Sequence, residues 1–430
     1  MKRAVVLAGG GSKGAYEAGY MRALKELEID YQIVTGTSIG ALNGCLLAQN
    51  DQQAMEDLWE NLDISKVFAG GFSPDFNFDL DTMLDQSNLV VSFFKSYLKE
   101  KGADITPLKE LIRGLLKEDQ LLSSPIDFGL CTVHYPSLKP LLITKSEMEK
   151  EYIFDYLIAS ASCFPVFPTH NFQNQSFIDG GYYDNVPVDL ALDMGADEVV
   201  VVDMHEEATH KHYLNRPHII YTTPYVDLGG FMDFSKDALQ RNMRIGYQTA
   251  MKYFGNLVGV QYTFEQFETP LFHEFYKEVL YLERYMRSLL RNDSAGNLVY
   301  KYMESHKEQP LDEKDYLYVT LDWLGQLLTK DPSYVYQFDI FVDDLLKDFE
   351  EYMDPDFQML SLRLADDISR TFSNISKKGI IGRFLHAMLY PEEEKMDISK
   401  FLTLFSKEVI QAKLLYMLFQ EKNNLKQEKE

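Results

Sequence analysis

Clustered positive charge is missing from this sequence. Lys and Arg number 42 against 66 Asp and Glu, a formal net charge of −24. Phosphate backbones are held by grouped cations, so nucleic acid is excluded as a partner. Electrostatic docking to an anionic bilayer is disfavoured for the same reason. Cysteine is scarce: Cys45, Cys131 and Cys163 are odd in number, scattered and set in apolar surroundings. That is the pattern of reduced core thiols, not of a disulfide framework, and it argues for the cytoplasm. Long hydrophobic runs are absent as well. None reaches the roughly 18 residues that read as a membrane span, and Ala4–Ala8 after Met1-Lys2-Arg3 is too short for the apolar region of a signal peptide. No calcium-loop pattern is present, so neither a metal nor another cofactor is expected.

What the sequence does hold is two glycine-rich turns. Val34–Ala41 reads V-T-G-T-S-I-G-A, placing Ser38 inside G-x-S-x-G between an apolar run and a helix-like run from Ala41 to Ala48. Strand, sharp turn and helix in that order force a serine to stand exposed as a nucleophile. Gly36 and Gly40 flank it, with Thr37 between Gly36 and the serine, because a strand reversing into a helix leaves no room for a Cβ. The N–H of Ile39 opens the helix, where unsatisfied donors and the dipole favour negative charge.

Ala4–Gly14 reads A-V-V-L-A-G-G-G-S-K-G, a short buried strand followed by Gly9, Gly10, Gly11, Ser12, Lys13 and Gly14 and then a helical pattern. Such a loop turns its N–H groups to one point and cradles an anion: a dinucleotide pyrophosphate, an NTP phosphate or the oxyanion of a tetrahedral intermediate. The dinucleotide reading needs an acid at the end of the second strand, where Gly36-Thr37-Ser38 stands instead. The P-loop reading needs Lys and Ser/Thr after Gly14, which is followed by Ala15 and Tyr16. An oxyanion hole lets both glycine motifs serve one reaction. Lys13 either adds positive charge there or is a solvated side chain.

Ser176–Val188 reads S-F-I-D-G-G-Y-Y-D-N-V-P-V. Asp179 ends a short apolar stretch, and Gly180-Gly181 can turn tightly enough to aim its carboxylate into a site. The same dipeptide also reads as an ordinary turn. His205 follows Asp179 in the Ser, acid, His order of one class of triads. The run His205–His210 imitates a zinc-binding helix, but its histidines are five apart and do not share a helix face.

The ordered set G-G-G-S-K-G, G-T-S-I-G and D-G-G resembles the patatin-like phospholipase family over roughly residues 4–223. The block Ala159–Pro168 (A-S-A-S-C-F-P-V-F-P), the tail Val186-Pro187-Val188 and a strand Glu198–Asp203 after Gly195-Ala196 extend the likeness. The resemblance implies a Ser–Asp dyad without a catalytic histidine, cleaving lipid acyl esters. Ser38 is then the nucleophile, Asp179 the base, and Gly9–Gly14 with the Ile39 amide the oxyanion hole. The partner implied is a lipid acyl ester. With this net charge any transient contact at a membrane surface has to be apolar, and Phe68–Phe72 and Val90–Phe94 are the candidate segments, the second of which reads first as part of an ordinary core-facing helix from about Leu80 to Lys99. Two other readings stay open: a catalytically weak lipid-binding or regulatory protein on the same fold, and a nucleotide-binding module. Oligomeric state is not legible.

The organisation is two-part. Strands are expected at 4–8, 31–36, 126–133, 139–144, 176–178, 198–203 and 218–222. Helices are expected at 14–28, 39–50, 51–61, 79–100, 107–118, 146–160 and 187–194. This alternation argues an α/β fold, a parallel-rich sheet sandwiched by helices. From residue 224 to 430 amphipathic helical patterns take over, near 234–255, 272–292, 313–329, 334–352, 356–376 and 397–421, with a weak strand near 257–267. This mainly helical C-terminal domain has no legible role, and the acidic stretch Asp312–Asp356 within it reads as a solvated face.

Overall fold

The computed structural model describes residues 1–68, 104–291, 297–303, 311–355, 376–394 and 396–427. The helices expected at 79–100 and 356–376, and the apolar stretches 69–72 and 90–94, lie outside the described residues; Phe68 is buried. The chain divides into two compact units, Met1–Phe254 and Gly255–Glu430.

The first unit is built on a mixed, mostly parallel sheet. Its strands are β1 (Arg3–Leu7), β2 (Ile33–Thr37), β3 (Asp127–Tyr135), β4 (Pro140–Thr144), β5 (His170–Phe172), β6 (Gln175–Asp179), β7 (Glu198–Val202) and β8 (Ile219–Thr222). They lie in the order β5-β6-β3-β2-β1-β7-β8, with β4 also paired to β3. From β8 to β3 every pairing is parallel; β4, β5 and β6 are antiparallel. The central strands β1 and β7 are near-continuous apolar runs, A-V-V-L and V-V-V-V, as burial on both faces demands. The sequence reading lacks only β5. It pairs with β6 through Gln173-Asn174, both at positive φ, a hairpin turn with no glycine to announce it.

Helices cover both faces. Those that matter for the site are α1 (Gly14–Glu26), α2 (Ile39–Ala48), α3 (Gln52–Asn61), α4 (Thr106–Leu115), α5 (Glu118–Ser123), α6 (Ile153–Ser160), α7 (Val188–Asp193) and α8 (Lys236–Tyr253). Successive residues of β3 point to opposite faces. A Cβ on Gly44 of α2 would meet Phe128, whereas a Cβ on Gly129 would meet Leu190 and Met194 of the α7 region. So α2 lies on one face and α7 on the other. The core on the α2 side joins Ala41, Cys45, Phe128, Leu130, Leu157 and Phe177.

Helix α8 packs on α1 backbone to backbone. A Cβ on Gly19 would lie 1.8 Å from the Met243 carbonyl oxygen, and one on Gly246 would lie 1.9 Å from that of Tyr16. This helix therefore belongs to the first unit, which ends at Phe254; a break drawn after residue 223 differs from that division by one helix. The second unit holds α9 (Leu271–Leu290), α10 (Glu313–Leu327), α11 (Phe338–Asp348), α12 (Lys377–Leu389) and α13 (Ser406–Gln427), with a two-residue pairing of β9 (Thr263–Phe264) and β10 (Val335–Tyr336). Part of its acidic stretch is a helix cap: Asp312 and Asp315 form a reciprocal capping box at the start of α10.

Candidate active site

Ser38 is the whole of the turn between β2 and α2. Thr37 is the last residue of the strand and Ile39 the first of the helix, so one residue reverses the chain. It does so at φ 55, ψ −124, a conformation that costs a non-glycine residue about 1–3 kcal/mol and persists only where the surroundings enforce it. They enforce it here by contact. A Cβ on Gly36 would lie 2.2 Å from the Gly40 carbonyl oxygen, and one on Gly40 would lie 2.5 Å from the carbonyl oxygens of Leu7 and Ala8. Thr37 anchors the strand end by donating its hydroxyl to the Asp184 carbonyl at 2.8 Å.

Asp179 reaches the serine through sheet register. On β3, β4 occupies one edge from Gly129 to Val133. On the other edge, β2 runs alongside Asp127–Cys131 and β6 alongside Thr132–Tyr135 in the opposite direction. The carboxyl ends of β2 and β6 thus meet head to head, Thr37 opposite Cys131 and Asp179 opposite Thr132. Gly180 has to be glycine at this junction, because a Cβ would lie 2.2 Å from the Cys131 carbonyl oxygen.

The result is a direct hydrogen bond. Ser38 Oγ donates to Asp179 Oδ2 at 2.6 Å, while Gly181 N–H donates to Asp179 Oδ1 at 2.8 Å. Asp179 is 3% exposed. Burial pushes its pKa up to about 6, against the pull of those two hydrogen bonds. The Ser38 N–H is not a free donor, since it donates to Ser160 Oγ at 3.0 Å, which in turn donates to the Cys131 carbonyl at 2.7 Å. Ser160 was not singled out by sequence reasoning, although it lies in the small-residue block quoted above. A side chain that props a turn from a distant helix leaves no local signature.

The glycine loop lies against the serine: a Cβ on Gly9 would come within 3.2 Å of Ser38 Cβ. Its amides divide into two groups. Gly9 N–H donates to the Asn185 carbonyl, Ser12 N–H to that of Phe231, Lys13 N–H to that of Gly10, and Gly14 N–H back into its own turn. Gly10 and Gly11 are left by these bonds, and both line the cavity in front of Ser38. Gly11 sits at φ 57, with a would-be Cβ 2.3 Å from the Phe231 carbonyl oxygen, so only glycine fits. Lys13 does not line the cavity, and Ser12 turns its hydroxyl to the Gly230 carbonyl. Asn185, also missed in the sequence, clasps the loop from the other side. Its carbonyl accepts from Gly9 N–H at 3.0 Å and its Nδ2 donates to the Gly9 carbonyl at 3.0 Å.

The cavity measures about 1070 Å³ when the open solvent at its mouth is counted with it. Its polar end is Gly10, Gly11, Ser38 and Asp179; the remainder is apolar, walled by residues of α2, α3, α4 and α6 and by Phe231, Met232 and Phe234. Ile39, at the helix start, is part of the lining. The cavity thus offers an apolar space and a hydroxyl bonded to a buried carboxylate, with Gly10, Gly11 and Ile39 in its lining.

The histidine alternatives are not assembled. The His205 ring bonds Asp203 at 2.8 Å and that of His210 bonds Asp184 at 2.9 Å, two separate acids, while the hydroxyl of Ser38 goes to Asp179. Among the described residues no three His, Cys, Asp or Glu side chains are grouped to hold a metal, and no helix is long and apolar enough to cross a membrane. Burial pushes the thiols of Cys45 and Cys131 up to about 12, as expected of unreactive core thiols.

Comparison with known proteins places this half of the chain. Lysophospholipase NTE1 of Pyricularia oryzae is 30% identical over 206 residues, 46% of this chain and 12% of that protein. Lysophospholipase nte1 of Aspergillus terreus is 28% identical over 203 residues, again 46% and 12%. Patatin-like phospholipase domain-containing protein 7 of the rat is 28% identical over 206 residues, 47% and 13%. The matched stretch is thus a small part of each relative. Among solved structures, VipD of Legionella pneumophila aligns over 96% of this chain and 91% of its own at 14% identity, with a TM-score of 0.39, too low to bear on the fold. Residues 5–192 match the patatin-like phospholipase family model, and the chain carries a patatin-like phospholipase domain there.

Proposed function

We propose that this chain is a serine acyl hydrolase that cleaves lipid acyl esters through Ser38 and Asp179. The observation that carries the reading is the 2.6 Å hydrogen bond from Ser38 Oγ to a buried Asp179 at the head of an apolar cavity. A serine hydroxyl attacks an ester only when a base takes its proton. An aspartate of ordinary pKa is a weak base at neutral pH, but one raised to about 6 is ionised at pH 7 and a better acceptor. As Oγ bonds to the acyl carbon, its proton passes to Asp179 Oδ2. The carbonyl π electrons move onto oxygen, and the N–H groups of Gly10, Gly11 and Ile39 receive that charge, each well-placed donor supplying about 3–4 kcal/mol. The C–O bond then breaks and Asp179 returns the proton to the leaving alcohol. Water repeats the sequence on the acyl-enzyme, giving the fatty acid and free serine.

The names of the curated relatives and the apolar cavity favour a lipid ester, a lysophospholipid among them. Contact with a lipid surface then rests on apolar side chains, since the net charge is −24. The test is covalent labelling of the full chain by a fluorophosphonate, together with hydrolysis of a chromogenic ester. Ser38→Ala abolishes labelling, and Ser38→Ala and Asp179→Asn each lower turnover by about a thousandfold or more. A Ser38→Ala protein as fast as the parent ends this reading. A parent that binds lipid but takes no label identifies a binding or regulatory protein instead.

A further inference from the structure

The cavity has a direction and a stop. Ile39, Leu42, Cys45 and Leu46 of α2 line it, the stripe of one helix face, so the space runs along α2 away from Ser38. Helix α4 supplies a second stripe that finishes at Leu115, with Leu116 just past the helix end also in the lining. Directly behind Cys45 and Leu115 stands Gln49, whose side chain is fully buried. Its Nε2 donates to the Leu115 carbonyl at 3.2 Å and its Oε1 accepts the Lys117 N–H at 2.7 Å. Cys45 Sγ lies 3.8 Å from the same oxygen, and Gln120 Nε2 donates to the Gln49 carbonyl at 2.7 Å. This amide satisfies the end of α4 and the start of α5 at once. Moving it aside would break both bonds and leave the buried Gln49 amide unpaired, which is costly.

Resting on the reading of Ser38 as nucleophile, we infer that α2 is an acyl ruler and that the Gln49 knot sets a medium-chain optimum, about eight to thirteen carbons. The length follows from geometry. At 1.5 Å per residue, Ile39 to Leu46 spans about 10 Å and Ser38 to Gln49 about 16 Å. An extended saturated chain, with bonds of about 1.5 Å at near-tetrahedral angles, advances about 1.25 Å per carbon. About eight carbons from the ester carbonyl reach Leu46, and about thirteen reach the knot. A longer chain leaves its tail in the mouth, where it gains less from burial.

The experiment measures kcat/KM of the full chain on p-nitrophenyl butanoate, octanoate, dodecanoate and hexadecanoate, with active sites counted by fluorophosphonate. The expected profile peaks at octanoate or dodecanoate and falls at least about tenfold by hexadecanoate. Cys45→Phe, which fills the far end, moves the peak toward butanoate; Leu46→Ala, which widens it, moves the peak toward hexadecanoate. A labelled parent that peaks at hexadecanoate overturns the ruler and leaves the nucleophile in place, whether or not either variant folds. A labelled parent with a medium-chain peak that neither folded variant displaces also overturns it. A parent that takes no label overturns the nucleophile, and the ruler with it.

Discussion

Asp179→Asn should stabilise the protein while abolishing its activity. In the native state burial holds Asp179 at about 6, against an ordinary 3.8. A carboxylate with a raised folded pKa keeps its proton when folded at pH values where the unfolded chain has released it. Stability from this group is therefore fully present below about pH 4 and is lost as pH rises to about 6. Two units and a little more, at 1.36 kcal/mol each, make the cost about 3 kcal/mol at pH 7. Asparagine never ionises and escapes that cost. It gives back about 1 kcal/mol, because one of its two ends is an NH2 that cannot accept from both Ser38 Oγ and Gly181 N–H. The net gain is about 2 kcal/mol, a rise in Tm of about 4–8 °C for a unit of this size. The assay is thermal melting of parent and variant from pH 4 to pH 8. The two curves should nearly coincide at pH 4, diverge up to about pH 6.5 and run parallel above it. Over the same range, on the proposed mechanism, the parent's kcat/KM should rise through about pH 6 as Asp179 ionises. A Tm difference that is constant with pH, or a variant less stable at pH 7, refutes the account of Asp179 as a buried carboxyl of raised pKa.

Three further outcomes are expected. Asn185→Ala removes the Nδ2 bond to the Gly9 carbonyl and lets the glycine loop relax; kcat falls about ten- to a hundredfold with KM little changed, and a purely structural role would show as lost melting temperature at full turnover. Gly19→Ala drives a methyl into the Met243 carbonyl and should destabilise by 3 kcal/mol or more, roughly the cost of a severe overpacking; denaturant titration within about 1 kcal/mol of the parent contradicts the backbone contact of α1 and α8. A chain ending after Phe254 should melt cooperatively by circular dichroism, and one ending at residue 223, without α8, should not; equal behaviour of the two would remove α8 from the first unit.

The elements legible beforehand are those whose cause is local. Strands such as Ala4–Leu7 and Glu198–Val202 announce themselves as β-branched runs between turn residues, and the elbow at Ser38 by glycines that steric contact requires. Helix α12 was not legible because Gly379 and Gly382 interrupt its pattern. The reason for Gly382 is tertiary, since a Cβ there would lie 2.4 Å from the ring of Tyr352. The turn at Gln173-Asn174 hid β5 because it takes positive φ without glycine. Ser160 and Asn185 escaped for a related reason: each acts on a residue more than a hundred positions away.

By itself, then, the sequence determined the alternation of strands and helices, the strained turn at Ser38 and the tight glycine loop Gly9–Gly14, because each is a matter of neighbouring residues and backbone sterics. That Ser38 meets Asp179 across 141 positions was decided only in three dimensions. One edge of β3 carries β2 upward and β6 downward, and where the two strands stop, a hydroxyl and a carboxylate meet in a direct hydrogen bond. No spacing along the chain encodes that register; it follows from which strands share an edge.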